Sequence, residues 1–272
     1  MALLLAASVT LAGQEATFRA TTQIVSVPTT VIDAQGRLVP NLQQDQFAIL
    51  DNGKPQEITF FQNETQPFTV VVMLDYSASM TNSLDLLRAA AEQFLLRLLP
   101  QDKGQVGAFS DRIEFFIPPK KGRDHVLYIV SKLITQEPRG KGTDLNNAVR
   151  HFNNAVKQKS IAFILSDFLV EKYDDPLRVA GGKHDVIGVK VYDKMDLELP
   201  RAGLLAVQDA ETGKQLWIDT SNDLVRYNYA LQFNQAEEAC RNSFKKAGAD
   251  LIYLRTDEDY VKSLQQFFIR RS

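Results

Sequence analysis

The stretch TVVVMLD, Thr69 to Asp75, is apolar or β-branched without alternation until its closing acid. A strand with one face in water alternates polar and apolar residues, so a run of this kind has to be covered on both faces. A second run, SIAFILSDF at Ser160–Phe168, repeats the pattern and again closes on an acid, Asp167. Sheets buried on both faces are typically parallel, with helical crossovers as their cover. That requirement constrains the chain more than any other.

The rest of the sequence supplies the cover. Helical patterns occupy SLDLLRAAAEQFLLRLL from Ser83, RDHVLYIVSKLI from Arg123, TDLNNAVRHFNNAVKQ from Thr143, DPLRVAG from Asp175, the long segment from Asn222 to Gly248, and DEDYVKSLQQFFIRR from Asp257. Ser83 or Asn82 is the expected cap of the first and Pro100 its stop. Thr143 or Asp144 opens the third, and Ser221 or Asn222 the long one. Further strands are read at GQVGAFS and RIEFFIP around a Ser110–Asp111 turn, at HDVIGVKVYD, and at ADLIYLRT. The fold class is therefore α/β: a doubly wound, mostly parallel sheet with helices on both faces. GLLAVQDAETGKQLWIDT adds a β-hairpin insertion at about 203–220, its turn at Glu211 to Gly213.

Residues 18–66 differ. They show no helical period, a Gly36 turn, and in FAILDNGKPQEITFF two strand-like runs around Asn52–Gly53, a strong hairpin signal. This predicts a small β-module, followed by NETQPF as linker into an α/β domain at 67–272. Residues 1–17 open with MALLLAASVTLAGQ, apolar and short, a signal-like or disordered segment without a basic leader. It points to a secreted or periplasmic protein where it acts as a signal and to a cytoplasmic one otherwise. No segment reads as a membrane span.

Composition removes several function classes. The chain has 272 residues and a formal charge of -2, which gives no bulk electrostatic reason to bind nucleic acid or an anionic membrane. Its single cysteine, Cys240, permits no intrachain disulfide, and His125, His151 and His184 have no ligand spacing for zinc. RGKGTDL lacks the P-loop spacing, and no G-x-S-x-G elbow is present. With no histidine beside the strand-end motifs, the expectation is a binding module and no enzyme.

In open α/β sheets ligands bind beyond the carboxyl ends of the strands. Asp75, Ser77 and Ser79, spaced by two in DYSAS, follow one such end and Asp167 another, while Thr143 lies in a glycine-containing loop before a helix. Hydroxyls are neutral ligands to a hard cation and two carboxylates balance a divalent charge. Mg²⁺ takes an octahedral oxygen shell at about 2.0–2.1 Å and keeps several waters. Ligation by Ser77, Ser79 and Thr143, with Asp75 and Asp167 acting largely through water, leaves the metal electron-poor and open to an external carboxylate. Each residue also has a plainer role open to it: Ser77 and Ser79 as turn caps, Thr143 or Asp144 as N-cap, Asp167 as a loop acid. Asp111 reads as a turn residue, Trp217 and Tyr192 as packing residues, Cys240 as an ordinary thiol.

These five positions resemble the metal-ion-dependent adhesion site (MIDAS) of von Willebrand factor type A (VWA) domains: Asp-x-Ser-x-Ser, then Thr, then Asp. The resemblance implies a doubly wound sheet, bound Mg²⁺ or Mn²⁺, and a partner protein whose Asp or Glu completes the metal shell. It divides along the chain. From about Phe18 to Asp102, carried by TTVIDAQGRLVPNLQQDQFAILDNGKPQEITFF, the sequence resembles the largely secreted VWFA-related family common in acidobacteria. From about Gly104 onward, GAFSDRIEFFIPPKKGRDHVLYIV, PRGKGTDLNNAV, ILSDFL, HDVIGVKVYDKMDLELPRAGLL and TDEDYVKSLQQFF resemble an uncharacterised VWA-like family encoded beside MoxR-type AAA+ ATPases. The implied roles are adhesion or assembly with such an ATPase; the alternative is a metal-assisted hydrolase or phosphatase using the Asp75–Asp167 edge.

Overall fold

The computed structural model of the chain describes residues 25, 27, 29, 31, 33, 39, 42–62, 67–96, 98–137, 140, 142–170, 172–210 and 212–271. The expected signal-like segment 1–17, the Gly36 turn, most of the linker and Glu211 of the hairpin turn lie outside these residues. The chain divides into two compact units, 1–63 and 64–272.

In the first unit, β1 (Ile49–Asp51) and β2 (Lys54–Gln56) pair antiparallel, with Asp51 opposite Lys54. Asn52 and Gly53 both take positive φ, 49° and 79°, the backbone that a two-residue turn matching strand twist demands. The strands are shorter than the flanking apolar pattern suggests. A 3-10 turn at Gln44–Gln46 precedes them, and the Gln44 side-chain amide donates to the Ile58 carbonyl at 3.0 Å. The Phe47 and Phe61 rings pack 5.3 Å apart.

The second unit runs β3 (Thr69–Asp75), α1 (Leu84–Leu95), β4 (Lys103–Phe109), β5 (Ile113–Lys121), α2 (Arg123–Thr135), α3 (Leu145–Ala155), β6 (Ile161–Ser166), α4 (Asp174–Lys183) and β7 (Asp185–Tyr192). It continues through α5 (Lys194–Leu197), β8 (Leu204–Gln208), β9 (Gln215–Asp219), α6 (Asp223–Ala247), β10 (Asp250–Arg255) and α7 (Tyr260–Arg271). Six strands form one sheet in the order β10-β7-β6-β3-β4-β5, parallel except for the edge strand β5. The α/β doubly wound expectation holds.

Strand β3 shows why its run is apolar throughout. Val70, Val72 and Leu74 enter one core with Leu87, Leu95, Ile129 and Leu133 of α1 and α2. Val71 and Met73 enter the other with Val149, Phe152, Leu177 and Phe244 of α3, α4 and α6. Successive side chains point to opposite faces, so both faces being helix-covered requires apolar residues at both parities.

Two expectations at α1 are corrected. Neither Ser83 nor Asn82 caps it; a 3-10 segment, Ala78–Ser83, leads straight into Leu84. The helix also ends at Leu95, well before Pro100. The Asp102 carboxylate accepts from the amides of Leu99 at 3.0 Å and Phe68 at 3.3 Å, so this buried acid organises the return to β4. The remaining caps match: Asn222 accepts from Leu224 N, and α6 stops at Gly248 in the left-handed region. Strands β8 and β9 form the expected hairpin, Leu204 opposite Asp219. Thr220 closes its base, donating to Gly203 O at 2.7 Å and accepting from Ala202 N at 3.0 Å.

Candidate metal centre

Strands β3 and β6 are neighbours, and the chain winds outward from them in opposite directions, through β4 and β5 on one side and β7 and β10 on the other. This reversal is the switch point at which an α/β sheet opens a crevice. Leu74 is level with Leu165, which sets Asp75 beside Ser166 at the shared carboxyl edge; Asp75 is also level with Phe109 of β4.

Hydrogen bonds then assemble the motif. One Asp75 carboxylate oxygen accepts from Ser77 N at 2.9 Å and the other from Ser166 Oγ at 2.6 Å. Ser77 Oγ and Ser79 Oγ lie 3.1 Å apart, and Ser79 Oγ donates to Asp167 Oδ2 at 2.7 Å. Asp167 Oδ1 accepts from Leu169 N at 3.0 Å. The cap interpretation therefore fails for these serines. Ser77 precedes the 3-10 segment but makes no side-chain capping bond, and its hydroxyl faces that of Ser79 instead.

Thr143 approaches by another route. It stands directly before Asp144, which is the N-cap of α3 and accepts from Asn147 N at 2.9 Å. The Asp144 amide donates to the Ser110 carbonyl at 2.7 Å, and Ser110 follows Phe109, the partner of Asp75 across the sheet. Of the five expected residues, Asp75, Ser77, Ser79 and Asp167 thus share one hydrogen-bonded cluster. Thr143 heads the neighbouring loop, tethered to the same edge.

The electrostatics are dominated by burial. Asp75 is buried, and this desolvation chiefly raises its pKa from 3.8 to about 7; the Ser166 hydrogen bond opposes the rise and the Asp167 charge adds to it. Two contributors escaped the sequence reading. Ser166 bridges Asp75 and Phe168 N, which donates to its hydroxyl at 3.0 Å. Lys190, buried in β7, donates its ammonium to the Asp167 backbone carbonyl, and burial lowers its pKa. The signal for Lys190 was present: a lysine inside VIGVKVY, a strand otherwise fit for burial on both faces.

Among the described residues no group of three or more His, Cys, Asp or Glu side chains is placed to hold a metal ion. What the edge does present is two serine hydroxyls beside two carboxylates, oxygen donors of the kind a hard cation takes. No helix among the described residues is long and apolar enough to cross a membrane.

A family model described as Protein of unknown function DUF58 matches residues 61–239. Uncharacterized protein Rv1480 of Mycobacterium tuberculosis (strain H37Rv) is 32% identical over 162 residues, 57% of this chain and 50% of its own length. The chain thus spans half the length of that relative. Of solved structures, BatB from Bacteroides thetaiotaomicron is 15% identical at TM-score 0.48, covering 75% of this chain and 100% of that one. A von Willebrand factor type A protein from Catenulispora acidiphila is 10% identical at TM-score 0.46, covering 74% and 41%.

Proposed function

The chain belongs to the family described as Protein of unknown function DUF58, and from that premise we propose that it is a divalent-metal-dependent protein-binding module. The observation that carries this reading is the Ser77–Ser79–Asp167 hydrogen-bonded run, which joins the ends of β3 and β6 at the switch point and leaves hydroxyls, with no histidine, at its centre. Mg²⁺ or Mn²⁺ bound there would supply a Lewis-acidic position open to an outside ligand. Ser77, Ser79 and Thr143 would hold it. Asp75 fixes the Ser77 amide and Asp167 the Ser79 hydroxyl, so both acids act by orienting the hydroxyls and balancing charge.

The ligand class follows from charge. Neutral hydroxyls leave a dication under-neutralised, so an incoming carboxylate gains more there than at an all-carboxylate site. A partner protein presenting Asp or Glu is the fitting occupant. The VWA resemblance agrees, and the portion from about Gly104 onward, which resembles a family encoded beside MoxR-type AAA+ ATPases, makes such an ATPase the first partner to test, an adhesion-type partner the second.

The enzyme alternative draws on the raised pKa of Asp75, a property that acid–base catalysts share. Against it, Asp75 is 0% exposed with both oxygens engaged, out of reach of a substrate. His125 bonds Gly104 O near the start of β4, and His184 precedes β7, both at the opposite edge of the sheet. A panel of phosphatase and esterase substrates with Mg²⁺ separates the two: turnover abolished in Asp75→Ala would favour the hydrolase.

The primary test is calorimetric titration of Mg²⁺ and Mn²⁺ into wild type, Asp75→Ala and Thr143→Ala. Wild type should bind, Asp75→Ala should lose about 10–100-fold in affinity, as orienting groups at metal sites do, and Thr143→Ala, which removes a direct ligand, at least as much. Equal binding by all three would reduce DYSAS to a structural turn.

A further inference from the structure

We propose that Glu114 is a positioning residue for this metal site, holding the Thr143 loop in register with the DYSAS loop. The proposal rests on the metal-binding reading above and adds a residue that neither the motif nor the strand-end argument contains.

Glu114 lies on β5, outside the parallel part of the sheet, and its side chain is only 2% exposed. A buried carboxylate needs partners. Here they are specific. Glu114 Oε1 accepts from Ser110 Oγ at 2.7 Å and from Gly140 N at 2.8 Å. Arg112 Nε stands 3.8 Å from the same oxygen.

The two bonds reach both sides of Thr143. On the amino-terminal side, Glu114 holds Gly140 directly. On the carboxyl-terminal side, Asp144 N donates to the carbonyl of Ser110, the residue whose hydroxyl Glu114 also fixes. Ser110 is itself registered to the metal edge: it follows Phe109, whose carbonyl accepts from Tyr76 N at 2.6 Å, inside DYSAS. Glu114 Oε1 thereby ties the Gly140 backbone to the Ser110 hydroxyl, and Ser110 and its neighbour Phe109 hold the Asp144 and Tyr76 amides, with Thr143 between the two anchored points.

Gly140 shows how close this approach is. A Cβ there would sit 1.9 Å from Ser110 Oγ and 2.4 Å from Asp111 Oδ1. Any side chain at 140 therefore displaces the loop from Glu114.

The test is Mg²⁺ titration calorimetry on the full chain, with urea unfolding of each variant in parallel. Glu114→Ala should bind Mg²⁺ about 10-fold or more weakly. Gly140→Ala should match it. Glu114→Gln, which keeps an oxygen for both donors, should stay within a few-fold of wild type. The discriminating readout is coupling. If Glu114 acts through Thr143, Glu114→Ala adds little loss in a Thr143→Ala background, whereas independent effects add. A purely structural Glu114 would shift the unfolding midpoint and leave that coupling at zero. Additive losses, or a Glu114→Ala protein that binds like wild type while Thr143→Ala does not, overturn this inference alone. A wild type that binds neither Mg²⁺ nor Mn²⁺ overturns the metal reading and this inference with it.

Discussion

Replacing Asp75 by Asn should stabilise the metal-free protein, and the gain should grow with pH. The acid is buried, with its pKa raised from 3.8 to about 7. The folded state thus holds the proton more tightly than the unfolded chain does. That contribution is full below pH 3.8 and is lost as pH rises through about 7. A rise from 3.8 to about 7 corresponds to about 4 kcal/mol, the penalty of the ionised form at pH 8. Asparagine carries no such penalty. Its carbonyl can still accept from Ser77 N, while the exchange of an acceptor for an amide opposite Ser166 forfeits about 1 kcal/mol. Urea unfolding in chelator should therefore find Asp75→Asn ahead by about 3 kcal/mol at pH 8, with the margin narrowing toward pH 5. Mg²⁺ at a hundred times Kd should erase most of that lead, since the wild type gains about 2.7 kcal/mol of linkage energy from a bound ion. A difference that is flat in pH, or a wild type ahead in chelator at pH 8, refutes the buried-charge reasoning.

Ser166→Ala removes the donor to Asp75 and the acceptor of Phe168 N inside the core, and should destabilise by about 2–4 kcal/mol in chemical denaturation; a change under about 0.5 kcal/mol would show that the bridge contributes nothing. His184 is buried against Phe152, with neither ring nitrogen hydrogen-bonded among the described residues; burial, then Lys183, lowers its pKa below 6.5. The folded state excludes its proton, so the associated stability is complete above pH 6.5 and declines as pH falls below it; His184→Phe should flatten the unfolding midpoint between pH 7 and 5, and an unchanged acid limb would count against this. Deleting Leu205–Ile218 should leave Mg²⁺ affinity intact, because Thr220 and Gly203 close the hairpin at its own base; loss of affinity would show that the insertion supports the site.

The sequence legibly encodes what is local or periodic. The unbroken apolar runs of β3 and β6, the Asn222 cap, the Gly248 stop and the β8–β9 hairpin are each set within a short window, where period and turn chemistry act. The single-turn α5 was missed because four residues carry no period; only the mutual bonds of Asp193 and Asp196 mark it. The site divides the same way. DYSAS announces itself by spacing, but the bonds that make it a cluster join residues 88 and 91 positions apart, Ser79 to Asp167 and Ser166 to Asp75. Nothing near Ser166 or Glu114 in sequence says which partner each will meet.

What those residues have in common bears on the function. Asp75, Lys190 and Glu114 are charged side chains in positions that burial alone would fill with apolar ones, and all three bear on the loops around the switch point. Ser166 breaks the apolar pattern of β6 at the same edge, whereas Asp102, buried at the opposite end of the sheet, serves the chain itself by accepting from the Leu99 and Phe68 amides. A chain selected for stability alone gains nothing from an acid whose ionised form is worth several kcal/mol against folding. Local rules that break together at one edge mark the place where a structure serves something other than its own stability. Here the break supplies two carboxylates and two serine hydroxyls and, on the proposed reading, a clamp on the Thr143 loop. A divalent cation would make that combination favourable in a way the apolar alternative cannot, which is why stability with and without Mg²⁺, compared between the wild type and Asp75→Asn, is the measurement that tests it.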